Sequence, residues 1–497
     1  MSFPTVRTGS GALGVALVVV LIAAVPILAG DAVPADSLAG TWQGTLEAGA
    51  ARLRVVLHVE RGEDGAYAGT LDSIDQGATG LELADIRLEG REVSFALPAA
   101  RASYRGALAE DGASIAGTWS QGGMELPLEF ERTDAPPTLD RPQEPRGPLP
   151  YAAEEVTFAS VPGVTLAGTL TIPAGEGPHP AVVLISGSGP QDRDETVFGH
   201  RPFLVLADAL TRRGVAVLRY DDRGAGRSTG DHASATSEDF ARDAEAAFDF
   251  VRNHEGIDPK RVGLVGHSEG GLIAPMVAAR RADVAFVVLL AGPGVPGAEI
   301  LVEQSARITL ATTGSAELAA KNRAFQREIL DYVLSLGETP HDEAVDELTR
   351  RLTARLASLS AEERRALGLP EADDSAGERV RAAARAQAEQ LLSPWFRFFL
   401  AYDPAPALRS LHCPVLAVIG SKDLQVPPDQ NLPALAAALA AAPTDDWTVA
   451  KLPGLNHLLQ PAATGAPGEY AQIEQTIAPT ALERIGAWIA GRPGRGD

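Results

Sequence analysis

RVGLVGHSEGGLIAPM, residues 261–276, is the stretch on which the reading of this chain turns. Val262 to Val265 is a short apolar run that predicts a strand. Gly266-His267-Ser268-Glu269-Gly270 predicts a tight turn, and from Gly271 the apolar residues take a helical period. The turn spells G-x-S-x-G. A serine there sits on a sharp strand-to-helix corner that lifts its hydroxyl clear of the sheet, and the flanking glycines are needed because a Cβ would strike the crossing backbone. Ser268 is the candidate nucleophile. In a chain with 50 glycines the pentapeptide alone is weak; the strand before it and the helix after it give it weight.

A serine hydroxyl attacks well only when an imidazole takes its proton, and the imidazole needs a carboxylate on its other nitrogen. Both groups are expected downstream, on loops after later strands. Pro414-Val-Leu-Ala-Val-Ile-Gly420 is a continuous apolar run of the kind shown by a parallel strand covered on both faces. Ser421-Lys422-Asp423 follows it, so Asp423 falls just past the strand's carboxyl end. Trp447 to Pro453 reads as one more strand, and Gly454-Leu455-Asn456-His457 puts His457 where a general base is expected. Singly, an Asp in a loop is a turn former and a lone His is a solvated or core residue. In this order they form a triad. The oxyanion donors are expected from the backbone N–H of Glu269 and from the loop after an earlier strand, Ala181 to Ile185. That loop is Ser186-Gly187-Ser188-Gly189-Pro190, and the N–H of Ser188 is favoured, with Gly187 as the neighbouring alternative. The Ser188 side chain reads as a loop hydrogen-bonder.

With SGSGPQDRDE, RYDDRGAGRSTG, GHSEGG, VIGSKDLQVPP and GLNH in sequence, each after an expected strand, the chain from about Tyr151 resembles the bacterial α/β-hydrolases of the serine-aminopeptidase-like and EstD-type esterase group. The resemblance implies a mostly parallel, doubly wound sheet and carboxylic ester hydrolysis by Ser268, Asp423 and His457. It does not choose the substrate, because this fold hosts esterases, lipases, thioesterases and peptidases.

The remainder of the 497 residues divides by texture. Residues 1–35 carry Arg7 and an apolar run, Gly11 to Ala29, broken by Pro26. This reads as a secretory signal, cleaved after Ala29 or Ala35, or alternatively as an uncleaved anchor, so export to the periplasm or beyond is expected. Residues 36–132 show short alternating segments between turn signals, with Gly40-Thr41-Trp42 echoed by Gly117-Thr118-Trp119. A small antiparallel β barrel or sandwich is expected, its first and last strands pairing and both tryptophans in its core. Residues 133–150 hold six prolines and read as a stiff linker. Within 151–497, Glu155 to Ala159 and Val164 to Ile172 read as an edge hairpin, and Ser237 as the cap of a long amphipathic helix. Arg193 reads either as a substrate-orienting group or as an ion pair bracing its loop. Residues 298–395 are rich in Ala, Glu, Arg and Leu with helical period and read as a helical cap over the active site.

A net charge of −22 argues against a nucleic-acid partner and against adhesion to anionic membranes. The single cysteine, Cys413, excludes an intramolecular disulfide and reads as a buried strand residue. No cofactor fingerprint and no metal-ligand cluster is visible, and a small-molecule ester is the expected partner. Two other readings stand beside the esterase. One is a peptidase of the same fold, with Glu269 or a cap acid holding a free ammonium. The other is a binding protein on an inherited hydrolase scaffold.

Overall fold

The computed structural model describes residues 38–492, save 49–50, 63, 77, 101, 122–123, 137–139 and 368–375. The expected export signal lies outside the described residues. Among those residues no helix is long and apolar enough to cross a membrane.

The chain begins with one antiparallel sheet of nine strands. They are β1 (Gly40–Ala48), β2 (Ala51–Arg61), β3 (Tyr67–Ser73), β4 (Ala78–Glu82), β5 (Ala84–Glu89), β6 (Glu92–Leu97), β7 (Ala102–Leu108), β8 (Ser114–Gln121) and β9 (Met124–Arg132). The spatial order 4-3-2-1-9-8-7-6-5 joins the two halves through a β1–β9 pair, Trp42 opposite Arg132. First and last strands therefore pair, as the sequence suggests. The outer strands approach each other, with the Leu83 N–H donating to the Gly69 carbonyl (3.0 Å), so the sheet curls nearly into a barrel. Alternate residues point inward, and in β6 Val93, Phe95 and Leu97 are buried while their neighbours are not. Trp42, Tyr104, Phe130 and Trp119 fill the interior, so both tryptophans are core.

The second sheet has eight strands: β10 (Ala152–Ala159), β11 (Thr165–Ile172), β12 (His179–Ile185), β13 (Ala216–Tyr220), β14 (Ile257–His267), β15 (Val287–Leu290), β16 (Val415–Gly420) and β17 (Trp447–Leu452). Its order is 10-11-13-12-14-15-16-17. β10 and β11 form the expected edge hairpin, and from β13 to β17 every pairing is parallel. Parallel strands need helical crossovers on both faces, which explains the apolar stretches 181–185 in β12, 262–265 in β14, 287–290 in β15 and 415–419 in β16. One face packs on α2 (Ser237–Arg252) and α3 (Gly270–Arg280); the other packs on α1 (Pro202–Thr211) and α12 (Pro479–Ala490), the last helix among the described residues. Cys413 is buried just before β16.

Between β15 and β16 the chain leaves the sheet and forms α4 (Gly297–Thr313), α5 (Ala316–Ser335), α6 (His341–Ser358), α7 (Ala361–Ala366), α8 (Ala376–Leu391), α9 (Pro394–Ala401) and α10 (Ala405–Arg409). The first six of these build a helical cap with its own small core around Leu330, Val345 and Leu348. α7 starts on the expected capping box: the Ser360 hydroxyl accepts from the Glu363 N–H, and the Glu363 carboxylate accepts from the Ser360 N–H. α11 (Pro428–Leu439) then leads from β16 to β17.

Two local expectations shift. β14 runs on through His267, so the turn at the serine shrinks to Ser268–Glu269. Ser237 is the first residue of α2 rather than its cap; Thr236 caps, with the Asp239 carboxylate accepting its N–H at 3.0 Å. The serine hydroxyl is thereby free to turn elsewhere.

Candidate active site

Ser268 adopts φ 52°, a left-handed conformation that costs a non-glycine residue energy and that the surrounding contacts hold in place. Its N–H is bonded to the Leu290 carbonyl at the end of β15 (2.9 Å), and its carbonyl accepts from Gly271 in α3 (2.9 Å). The corner is so tight that a Cβ on Gly266 would lie 1.9 Å from the Gly270 carbonyl oxygen, and one on Gly270 would lie 2.1 Å from that of Ile185. Strand, serine and helix are thus packed backbone to backbone, as the glycine spacing implies.

Asp423 stands just past β16 and is 1% exposed. Its Oδ1 accepts the N–H groups of Gln425 and Val426, both at 2.8 Å, and its Oδ2 receives Nδ1 of His457 at 2.8 Å. His457, past β17, is likewise buried. Ser268 and His457 line one cavity of about 230 Å³, together with Gly187, Ser188 and Glu269. The cap supplies Ile300, Leu301 and Gln304 from α4 and Trp395, Phe396 and Phe399 from α9. The remaining wall includes Val197, Phe198, Leu458 and Tyr470.

The structure separates the two oxyanion candidates in the early loop. The Gly187 N–H donates to Glu195 Oε1 at 2.7 Å and is committed within the protein. The N–H groups of Ser188 and Glu269 border the cavity, and among the described residues neither has a protein acceptor.

Several residues that the sequence reading passed over hold this arrangement. Glu195 is buried, with φ 52°, and its Oε1 also receives His267 Nδ1 at 2.8 Å. His267 Nε2 donates to the His457 carbonyl at 3.1 Å. Both imidazole nitrogens therefore face oxygen acceptors. Burial works against the charged ring, but the adjacent Glu195 carboxylate outweighs it, and the His267 pKa is raised. Asp222 accepts from the Ser186 hydroxyl at 2.7 Å and the Gln191 N–H at 3.0 Å, so it shapes the 186–190 loop. Arg193 does not reach the cavity; it pairs with Asp221 (2.8 Å) and Glu155 (2.7 Å) and braces its loop.

Glu269 is the unusual member. Its carboxylate is buried beside Ser268, and Oε1 accepts from the Ser237 hydroxyl at 2.6 Å and the Trp395 indole N–H at 2.8 Å. The nearby Ser188 side chain also favours its charged form. Burial raises its pKa against the pull of these donors. Through it α2, the 186–190 loop and the cap helix α9 meet at Ser268. Among the described residues no set of three or more His, Cys, Asp or Glu side chains is arranged to hold a metal.

A model of the alpha/beta hydrolase family matches residues 182–473. Esterase EstD of Thermotoga maritima is 34% identical over 158 residues, 32% of this chain and 36% of the relative. The uncharacterized protein YfhR of Escherichia coli K12 is 30% identical over 172 residues, 32% of this chain and 57% of the relative. The chain thus spans about a third of the one and rather more than half of the other. Among solved structures, an esterase from Pyrococcus furiosus is 15% identical, covering 72% of this chain and 98% of its own with a TM-score of 0.40.

Proposed function

Since the chain belongs to the alpha/beta hydrolase family, its matched segment being residues 182–473, we propose that it is a serine carboxylesterase working through an acyl-enzyme. Ser268 Oγ attacks the ester carbonyl while His457 takes its proton. The tetrahedral oxyanion is held by the N–H groups of Ser188 and Glu269. His457 then protonates the leaving alcohol, and the same base activates the water that releases the acid. Asp423 fixes the tautomer: with Nδ1–H donated to its carboxylate, the other imidazole nitrogen is the basic one.

The observation that carries this reading is that His457, paired with the buried Asp423, lines the same cavity as Ser268. The cavity also suggests the substrate. At about 230 Å³, below the ~300–1,000 Å³ of most small-molecule pockets, and faced with Phe198, Trp395, Phe396 and Tyr470, it suits a short, uncharged acyl group. A peptidase reading would need an acceptor free for the substrate ammonium. Glu269 already receives the Ser237 hydroxyl and the Trp395 indole, so the ester is the better fit. The likeness to the Thermotoga esterase supports the same choice. Residues 1–35, outside the described structure, keep the sequence expectation of export.

The test is hydrolysis of p-nitrophenyl acetate and butyrate by the full chain and by Ser268→Ala, with fluorophosphonate labelling of both. Turnover and labelling should vanish together in the variant, with kcat lower by about 10⁴-fold or more. Neither signal in the folded wild-type protein, or undiminished turnover in Ser268→Ala, would sink the proposal.

A further inference from the structure

Arg141 lies in the proline-rich segment that the sequence presents as a linker, yet it is only 5% exposed. Its guanidinium is aimed at backbone carbonyls of two loops. Nε donates to Gly199 (3.0 Å) and Nη2 to Phe198 (3.2 Å); Nη2 also reaches Ala471 (2.8 Å) and Nη1 reaches Ile473 (2.8 Å). Gln143, two residues on, binds the same C-terminal loop: its Nε2 donates to the Ile477 carbonyl (2.7 Å), and its Oε1 accepts the N–H of Thr476 (2.7 Å).

These loops form one wall of the cavity. Phe198 and Tyr470 both line it, their rings edge to face at 5.4 Å. Phe198 is held at φ 52°. The Tyr470 hydroxyl accepts from Gln425 Nε2 at 3.3 Å, two residues beyond Asp423. The 3-10 turn that carries Tyr470, Pro467–Gln472, is packed from outside by the Ile74–Gln76 turn of the β barrel. A buried guanidinium is costly unless its donors are met, and a planar fork of five N–H groups can span several carbonyls where a lysine ammonium cannot.

We infer that the segment around Arg141–Gln143 is a strap that builds the aromatic wall of the substrate cavity from outside the parallel-sheet domain, Arg141 being a positioning residue for Phe198 and Tyr470. It thereby sets how bulky an acyl or alcohol group can enter. This rests on the esterase reading for its kinetic readout but not for its structural one.

The experiment compares full-length wild type, Arg141→Ala and Arg141→Lys on p-nitrophenyl esters from acetate to octanoate, with and without added methylguanidinium. Hydrogen exchange is followed across 196–200 and 467–477. Arg141→Ala should raise KM for the short esters about tenfold with kcat changed less than about threefold, and should flatten the chain-length preference. Exchange should quicken in both loops, methylguanidinium should restore part of the KM, and Lys should not substitute. Wild-type KM, chain-length profile and exchange in a folded Arg141→Ala would overturn the inference. If Arg141→Ala does not fold, Arg141→Lys decides: faster exchange confined to the two loops supports the strap, whereas exchange loosened throughout the sheet overturns it. Wild type inert toward every ester would remove the esterase reading and leave exchange alone to judge the strap.

Discussion

Glu195 sits in a run of loop acids, QDRDE, yet it alone is turned inward to receive both the Gly187 N–H and His267 Nδ1 on one oxygen. It links the 186–190 loop to His267, the residue before Ser268, and through His267 Nε2 to the backbone of His457. Three parts of the proposed machinery therefore share one carboxylate. Glu195→Ala leaves a half-buried N–H without its acceptor and removes the charge that raises the His267 pKa. We expect kcat to fall by about 10- to 100-fold with KM little changed, since the loss is of alignment rather than of contact area. Steady-state kinetics on p-nitrophenyl acetate decide this, and an unaltered kcat would remove Glu195 from the machinery. Nothing in the sequence separates Glu195 from Asp192 or Asp194. Its partners lie 8 and 72 residues away, beyond any local pattern.

At the scale of elements, the legible features were those whose signal is local. The runs that became β12, β14 and β16 announce themselves because a parallel strand is apolar on both faces, and G-x-S-x-G announces a corner because only glycine fits it. That logic gives a paired test. Gly266→Ala would drive a Cβ to 1.9 Å from the Gly270 carbonyl, whereas Gly377 in α8 has nothing within 4 Å of the corresponding point. The first should cost about 3 kcal/mol or more; the second should be neutral or stabilising by up to about 1 kcal/mol. Urea unfolding of the two variants checks both, and equal midpoints would contradict this account of the elbow. Among the features that gave no local signal were the short β4 and β5, each of 6 residues or fewer, and the role of Ser237. Its hydroxyl looked like a cap, but the burial of Glu269 drew it 32 residues along the chain instead.

For the molecule as a whole, His200 is one group through which pH acts on the fold. It is fully buried among Thr476, whose hydroxyl it meets at 2.9 Å, and the Tyr470 carbonyl, at 3.0 Å from its other nitrogen. Burial, assisted by the nearby Arg141 charge, pushes its pKa down to about 4. The unfolded chain takes up this proton near pH 6.5 and the folded chain only near 4. Its contribution is thus complete above about pH 6.5 and is lost as pH falls through that window, by up to about 3 kcal/mol. His200→Gln should flatten the decline of stability between pH 7 and pH 4.5 in urea titrations; an unchanged slope would show that other groups govern acid unfolding.

The strap has one more consequence, for the order in which the molecule assembles. Arg141 and its carbonyl partners Ala471 and Ile473 are separated by 330 and 332 residues, two-thirds of the chain. Contacts of such high contact order close late, after the loop entropy of everything between them has been overcome. The parallel sheet and the cap can condense on their own neighbours, but the aromatic wall waits for a segment that precedes the sheet to meet one that follows it. A nascent chain therefore carries Ser268 and its elbow well before the wall of Phe198 and Tyr470 can close behind Arg141.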